Sequence, residues 1–240
     1  MTGGMLTLSV TALTIGVTHT VLGPDHYLPF VALARSRNWS RTRMLMVTGL
    51  CGIGHVLGSI VLGLVGLAAG IVVGRLEAFE AIRGDLAATL LFSFGLVYML
   101  WGLWKYFKPT GHSHALMHRA GVAHAHPHEH AEMDGQSKAD EGTENDSKGT
   151  VWIMFIVFVL GPCEPLIPLL MYPASEKNIA AVMVVALVFA LATIGTMFVL
   201  VIVLSAGLKS LNIGPLERLS HFLAGAAITL CGAAILFLGL

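Results

Sequence analysis

Long stretches of this chain carry almost no charge, and they dictate its solvent. A bilayer span needs about 20 mostly apolar residues. Set against that length, the sequence offers six: 6–34, interrupted by Gly23-Pro24-Asp25-His26-Tyr27-Leu28-Pro29; 44–74; 86–106; 151–172, interrupted by Gly161-Pro162-Cys163-Glu164-Pro165-Leu166-Ile167-Pro168; 179–208; and 221–240. Only 12% of the 240 residues are charged, about half the share in a soluble domain. In lipid the backbone must satisfy its own hydrogen bonds, and runs of this length do so as helices. The expected fold class is an all-α integral membrane protein of six transmembrane helices, with helices 1 and 4 broken at their Gly-Pro motifs. Cys51, Cys163 and Cys231 lie far apart within apolar runs, which argues against a disulfide framework. The first residues, MTGGMLTLSV, hold no basic n-region, so the first run is expected to stay as a membrane helix and not to be cleaved.

Charge placement gives an orientation. With six spans, Arg35, Arg37, Arg41, Arg43, Lys105, Lys108, Arg119, Lys138, Lys148, Lys209 and Arg218 fall on one side, and Arg75, Arg83 and Lys177 on the other. The basic side is expected to be cytoplasmic. Both termini then face outward, and the long loop over 109–149 faces the cytoplasm of a cell membrane, the inner one in a bacterium.

The two interrupted runs share a phrase, Gly-Pro followed by polar residues and a further proline. Gly95 and Gly102 find an echo in Gly225 and Gly232. The chain therefore reads as two three-helix units, 1–108 and 150–240. Three is odd, so the copies insert with opposite orientation, a common transporter plan with its binding site at the repeat interface.

Ionisable groups in hydrocarbon are costly and normally face a cavity and a partner. Here they form a compact set: His19, Asp25 and His26 in the first run, His55 and Ser59 in the second, Cys163 and Glu164 at the second break, with Thr193 and Thr196 in the fifth run. Imidazole, carboxylate and a thiolate suit a borderline divalent ion such as nickel, cobalt or zinc; magnesium or calcium would want oxygens. Two blander readings stand beside this one. A membrane histidine or cysteine often simply packs or bonds to a neighbouring helix, the expected role of Cys51 and Cys231. Asp25 and Glu164 also suit a proton-coupling pair without metal. His221 is expected at the interface.

Between 109 and 149 the composition changes. His112, His114, His118, His124, His126, His128 and His130 fall close together, followed by a run of acids. So few apolar residues are expected to leave the segment disordered, and histidine-rich tracts capture transition metals loosely.

The phrases HTVLGPDHYLPF, GHVLGS and LGPCEPLIP, with the histidine-rich loop between the halves, resemble the nickel/cobalt transporter superfamily. The six-span form is similar to its efflux branch and to urease-accessory-like membrane proteins. The resemblance implies transport of a transition-metal ion along a path through His19, Asp25, His26 and His55. Uptake members of that family space the first histidine four residues from the Asp-His pair and have eight spans. Here five residues intervene, Thr20 to Pro24, and the spans number six, which favours efflux and leaves the ion's identity open. The six-span thiol-disulfide carriers share the architecture more distantly. They need one cysteine per half, and Asp25 stands where the first would be.

The expected function is thus transmembrane transport of a divalent nickel- or cobalt-like ion, with the transported nickel, cobalt or zinc as substrate and no permanently bound cofactor. The alternatives are a membrane accessory protein that hands metal to a metalloenzyme and, further off, a thiol-disulfide carrier. No enzyme activity and no nucleic-acid partner are expected. The lipid bilayer is a partner, and a homo-oligomer remains open.

Overall fold

The computed structural model describes residues 2–70, 73–107, 135–163, 165–210 and 219–239. Among these the chain is helical, without strands: α1 (Thr2–Leu22), a single 3-10 turn (Pro24–His26), α2 (Leu28–Ser36), α3 (Arg41–Ala68), α4 (Val73–Phe107), α5 (Gly135–Leu160), α6 (Leu166–Ser175), α7 (Ile179–Ser210) and α8 (Ser220–Leu238). Among the described residues five stretches are long and apolar enough to cross a membrane: Gly3–Leu22, Arg41–Gly66, Gly74–Phe107, Ile179–Leu208 and Ser220–Leu238. The chain is an integral membrane protein.

Three boundaries differ from the sequence reading. The stretch over 151–172 arrives as two shorter apolar helices, Lys148–Leu160 and Leu166–Ser175, on either side of the turn at Gly161 to Cys163. Neither reaches spanning length by itself. In the first run, by contrast, α1 alone is long enough. The third helix starts well before residue 86, at Val73, so Arg75 and Arg83 are helical residues and not loop residues. Of the expected loop over 109–149, residues 109–134 lie outside the described residues; α5 already runs from Gly135. An apolar helix, once nucleated, extends cheaply into polar flanking sequence because each added residue gains a hydrogen bond.

Large apolar side chains cover the outside. Leu6 and Leu22 on α1, Val61 on α3, Val97 on α4, Leu187 and Val203 on α7 and Leu230 on α8 are all exposed. This is the surface expected where the solvent is lipid. In that solvent apolar burial drives little, and helices associate through close packing at small residues. The α4–α8 contact, the most extensive among the described residues, shows the device. A Cβ on Gly95 would strike Thr229 N, one on Gly102 would strike Phe222 N, one on Gly225 would strike Met99 N and one on Gly232 would strike Phe92 N. The helices run antiparallel and touch backbone to backbone. The contacts made by Gly95 and Gly102 are repeated, with the helices exchanged, by Gly225 and Gly232.

The core falls into two clusters. One joins Phe30 and Leu33 of α2 to Met154 and Phe158 of α5, Met197 and Val201 of α7 and Ile228 of α8. The other joins Ala12 of α1 to Cys163, Leu166 of α6 and Val185 and Phe189 of α7. The polar groups described next lie where the two breaks meet these clusters.

Candidate functional site

The first break follows from proline chemistry. Gly23 N closes the last turn of α1 on the His19 carbonyl at 3.0 Å. Pro24 has no N–H to offer the Thr20 carbonyl, so the α-helix ends there. One tight turn follows, with His26 N bonding Gly23 O at 3.1 Å and Tyr27 N bonding Pro24 O at 3.3 Å. The turn buries His26 and leaves Asp25 beside it. His26 Nδ1 is 3.1 Å from Gly23 O and 3.1 Å from Asp25 Oδ1. Both oxygens are acceptors, so Nδ1 carries the proton. In the neutral ring this leaves Nε2 with a lone pair.

The second break is held from outside. Gly161 N bonds Val157 O at 2.9 Å, and Pro162 then withholds an N–H from the Phe158 carbonyl. His55 of α3 supplies a donor: its Nδ1 lies 3.2 Å from Phe158 O, which puts the His55 proton on Nδ1 and a lone pair on Nε2. The next carbonyl, Val159 O, accepts from Arg83 Nη2 at 2.9 Å. Arg83 also donates to Glu80 Oε1. Glu80 is fully buried, and its Oε2 accepts from Cys163 N at 3.1 Å and from Ser59 Oγ at 3.3 Å. Ser59 Oγ in turn accepts from Cys163 N at 3.2 Å. Gly58 lets α3 come this near: a Cβ there would lie 2.9 Å from Val159 O.

These two arrangements point their free nitrogens at each other. His26 Nε2 and His55 Nε2 are 3.4 Å apart. With both protons on Nδ1, two lone pairs face across that gap, an arrangement that a cation between them relieves. A zinc-like ion bonds imidazole at about 2.1 Å, and nitrogens 3.4 Å apart then subtend about 110° at the ion, the tetrahedral value. The His19 ring packs edge-on to His26 at 4.8 Å between centroids and 6.4 Å from His55. Its Nε2 is buried with no hydrogen-bond partner among the described residues. Ligand atoms of His19, His55 and buried Cys163 all lie within 4.8 Å of one another.

A cavity of about 650 Å³ opens beside the cluster and is lined by His19, Asp25, His26 and His55 together with Asp85 of α4. Among the described residues Glu80 is paired with Arg83, whereas Asp25 is paired with the His26 imidazole and no Lys or Arg. The local charge therefore favours a cation.

Of the residues singled out in the sequence, His19, Asp25, His26, His55, Ser59 and Cys163 come together here. Glu164 and the loop histidines His112, His114, His118, His124, His126, His128 and His130 lie outside the described residues. Thr193 is buried at the α1–α7 contact near Gly16. Cys51 and Cys231 pack in the other core cluster, away from Cys163. His221 sits elsewhere, bonded to Tyr98 Oη at 2.9 Å and Lys105 Nζ at 3.1 Å. The sequence reading missed Glu80, Arg83 and Asp85. A helical frame extended back to Val73 sets Glu80 and Arg83 three apart on one face, and that spacing was the available signal. No family model, curated protein or solved structure matches the chain.

Proposed function

We propose that this protein carries a divalent transition-metal ion across the membrane, through a site built where two broken helices meet. The observation that carries the reading is that His55 meets His19 and Cys163, with ligand atoms within 4.8 Å of one another, and also faces His26. The His26 and His55 lone pairs face one another at 3.4 Å, and the His19 Nε2 lacks a partner among the described residues. Three imidazoles and a sulfur select borderline ions such as nickel, cobalt and zinc over magnesium and calcium. Backbone acceptors and Asp25 fix which ring nitrogen is free, the orienting role that outer partners play at metal sites.

In this reading the α5–α6 pair forms a sixth crossing, and the chain is two inverted three-helix repeats. The exchanged glycine contacts between α4 and α8 support that symmetry, since a two-fold axis in the membrane plane turns each contact into its counterpart. The Gly-Pro breaks then lie at the repeat interface. The basic ends of the helices face the cytoplasm, where the histidine-rich segment collects the ion, and export is the direction this favours. The accessory-protein alternative would rest on that segment alone.

Transport by the purified chain in sealed vesicles, with cobalt, nickel, zinc and magnesium offered separately, tests the proposal. Flux of at least one borderline ion, lost in His26→Ala, is the expected result. Vesicles that pass none of them above the rate of empty liposomes would end it.

A further inference from the structure

A second polar site lies at the other end of α2, apart from the histidines. A pocket of about 320 Å³ opens between the α2–α3 turn and α7. Its polar wall is Arg35, Asn38, Trp39 and Arg41, and its apolar wall includes Met44, Ile202 and Leu208. Among the described residues neither Arg35 nor Arg41 is paired with a carboxylate. Arg43 adds a third guanidinium, placed 5.4 Å over the Trp39 ring.

Three further observations mark this as an anion site. Trp39 is only 9% exposed, and its indole N–H is buried with no acceptor among the described residues. A buried donor left unpaired is costly, and Trp39 forms part of this pocket's wall. The pocket also sits at the N-terminus of the 28-residue α3. Ser40 Oγ accepts from Arg43 N at 3.2 Å, and the earlier N–H groups at Arg41 and Thr42 have no carbonyl one turn before them in the helix, so they suit an anionic oxygen. Finally, Arg41 opens one membrane-length stretch and Leu208 closes another. That places the pocket at headgroup level, with its apolar wall continuing toward the hydrocarbon.

We propose that this pocket binds the phosphate of an anionic phospholipid headgroup, with an acyl chain against Met44 and Ile202. The two arginines supply charge, Trp39 donates a hydrogen bond and the start of α3 completes the cradle. Basic pockets between membrane helices recognise lipid phosphates in this way. The lipid is held independently of the ion site, so it is a structural ligand of the α2–α3 corner.

Native mass spectrometry of the full chain, delipidated and then titrated with phosphatidylglycerol or phosphatidylcholine, tests this. One phosphatidylglycerol per chain is expected, held more tightly than phosphatidylcholine. Each arginine changed to glutamine should weaken it about fivefold, so Arg35→Gln with Arg41→Gln loses about 25-fold. Trp39→Phe, which removes the N–H and keeps an aromatic ring in place, should lose roughly threefold. Arg41→Gln alone, at an exposed position, serves as the readout if the double variant does not fold. Equal retention of both lipids, or unchanged retention in the arginine variants, would overturn the proposal. So would inorganic phosphate binding as tightly as the lipid.

Discussion

The two Gly-Pro breaks are alike in sequence and opposite in how they are held. The first is self-contained: its backbone bonds close within His19 to Tyr27, and it projects Asp25 and His26 toward the cavity. The second depends on its neighbours. His55 and Arg83 donate to its freed carbonyls, while Ser59 and Glu80 accept from its amide at Cys163. The same covalent interruption thus yields polar side chains facing the cavity at one place and a braced backbone at the other. Two similar phrases end up in different surroundings because each is completed by different helices.

The sharpest way to break this contrast is to remove a facing imidazole. His26→Ala or His55→Ala should lower transport by more than about 100-fold, beyond the roughly 10–100-fold typical of losing an outer partner. Flux in vesicles is the check. His55→Ala should also loosen the second break, which a second-site probe such as hydrogen exchange around Phe158 would report.

Next in size is the brace. Glu80→Ala leaves Arg83 buried without its counter-charge, and truncating one partner of a buried pair costs about 3–5 kcal/mol. Thermal unfolding in detergent should show it, and Glu80→Gln, which keeps an acceptor for Cys163 N and Ser59 Oγ, should lose less. An equally large loss in Asp25→Ala would erase the distinction between the breaks, because Asp25 braces no other helix.

Smaller effects refine the ligand set. Cys163→Ser keeps the backbone bonds to Glu80 and Ser59, so it should fold normally. Cobalt binding, measured by titration, should weaken, because a hydroxyl binds a borderline ion less well than the thiolate it replaces. Removal of 109–134 should cost least, slowing capture at low ion concentration while leaving the maximal rate near normal. A deletion that abolishes transport would instead move the chemistry to that segment.

Much of the site was legible because ionisable residues are conspicuous in apolar sequence. His19, Asp25, His26, His55 and Cys163 stood out for what it costs to bury them. The breaks were legible too, since proline withholds an N–H wherever it sits. Glu80 and Arg83 were hidden for the opposite reason. Arg75, Glu77, Glu80, Arg83 and Asp85 follow one another so densely that the stretch reads as a loop. Only the tertiary fold shows that α4 runs through it and turns one pair inward, where the freed carbonyls of α5 justify burying a charge. Likewise, the spacing of Gly95, Gly102, Gly225 and Gly232 was visible, but its purpose, two backbones in contact, needed both helices in place.

Cobalt binding to the purified protein, followed by its visible absorption spectrum, tests the central claim most directly. A tetrahedral spectrum is expected, with a sulfur-to-cobalt band that disappears in Cys163→Ser and with the whole spectrum lost in His26→Ala. An octahedral spectrum, or one unchanged when His19, His26 and His55 are replaced in turn, would contradict it.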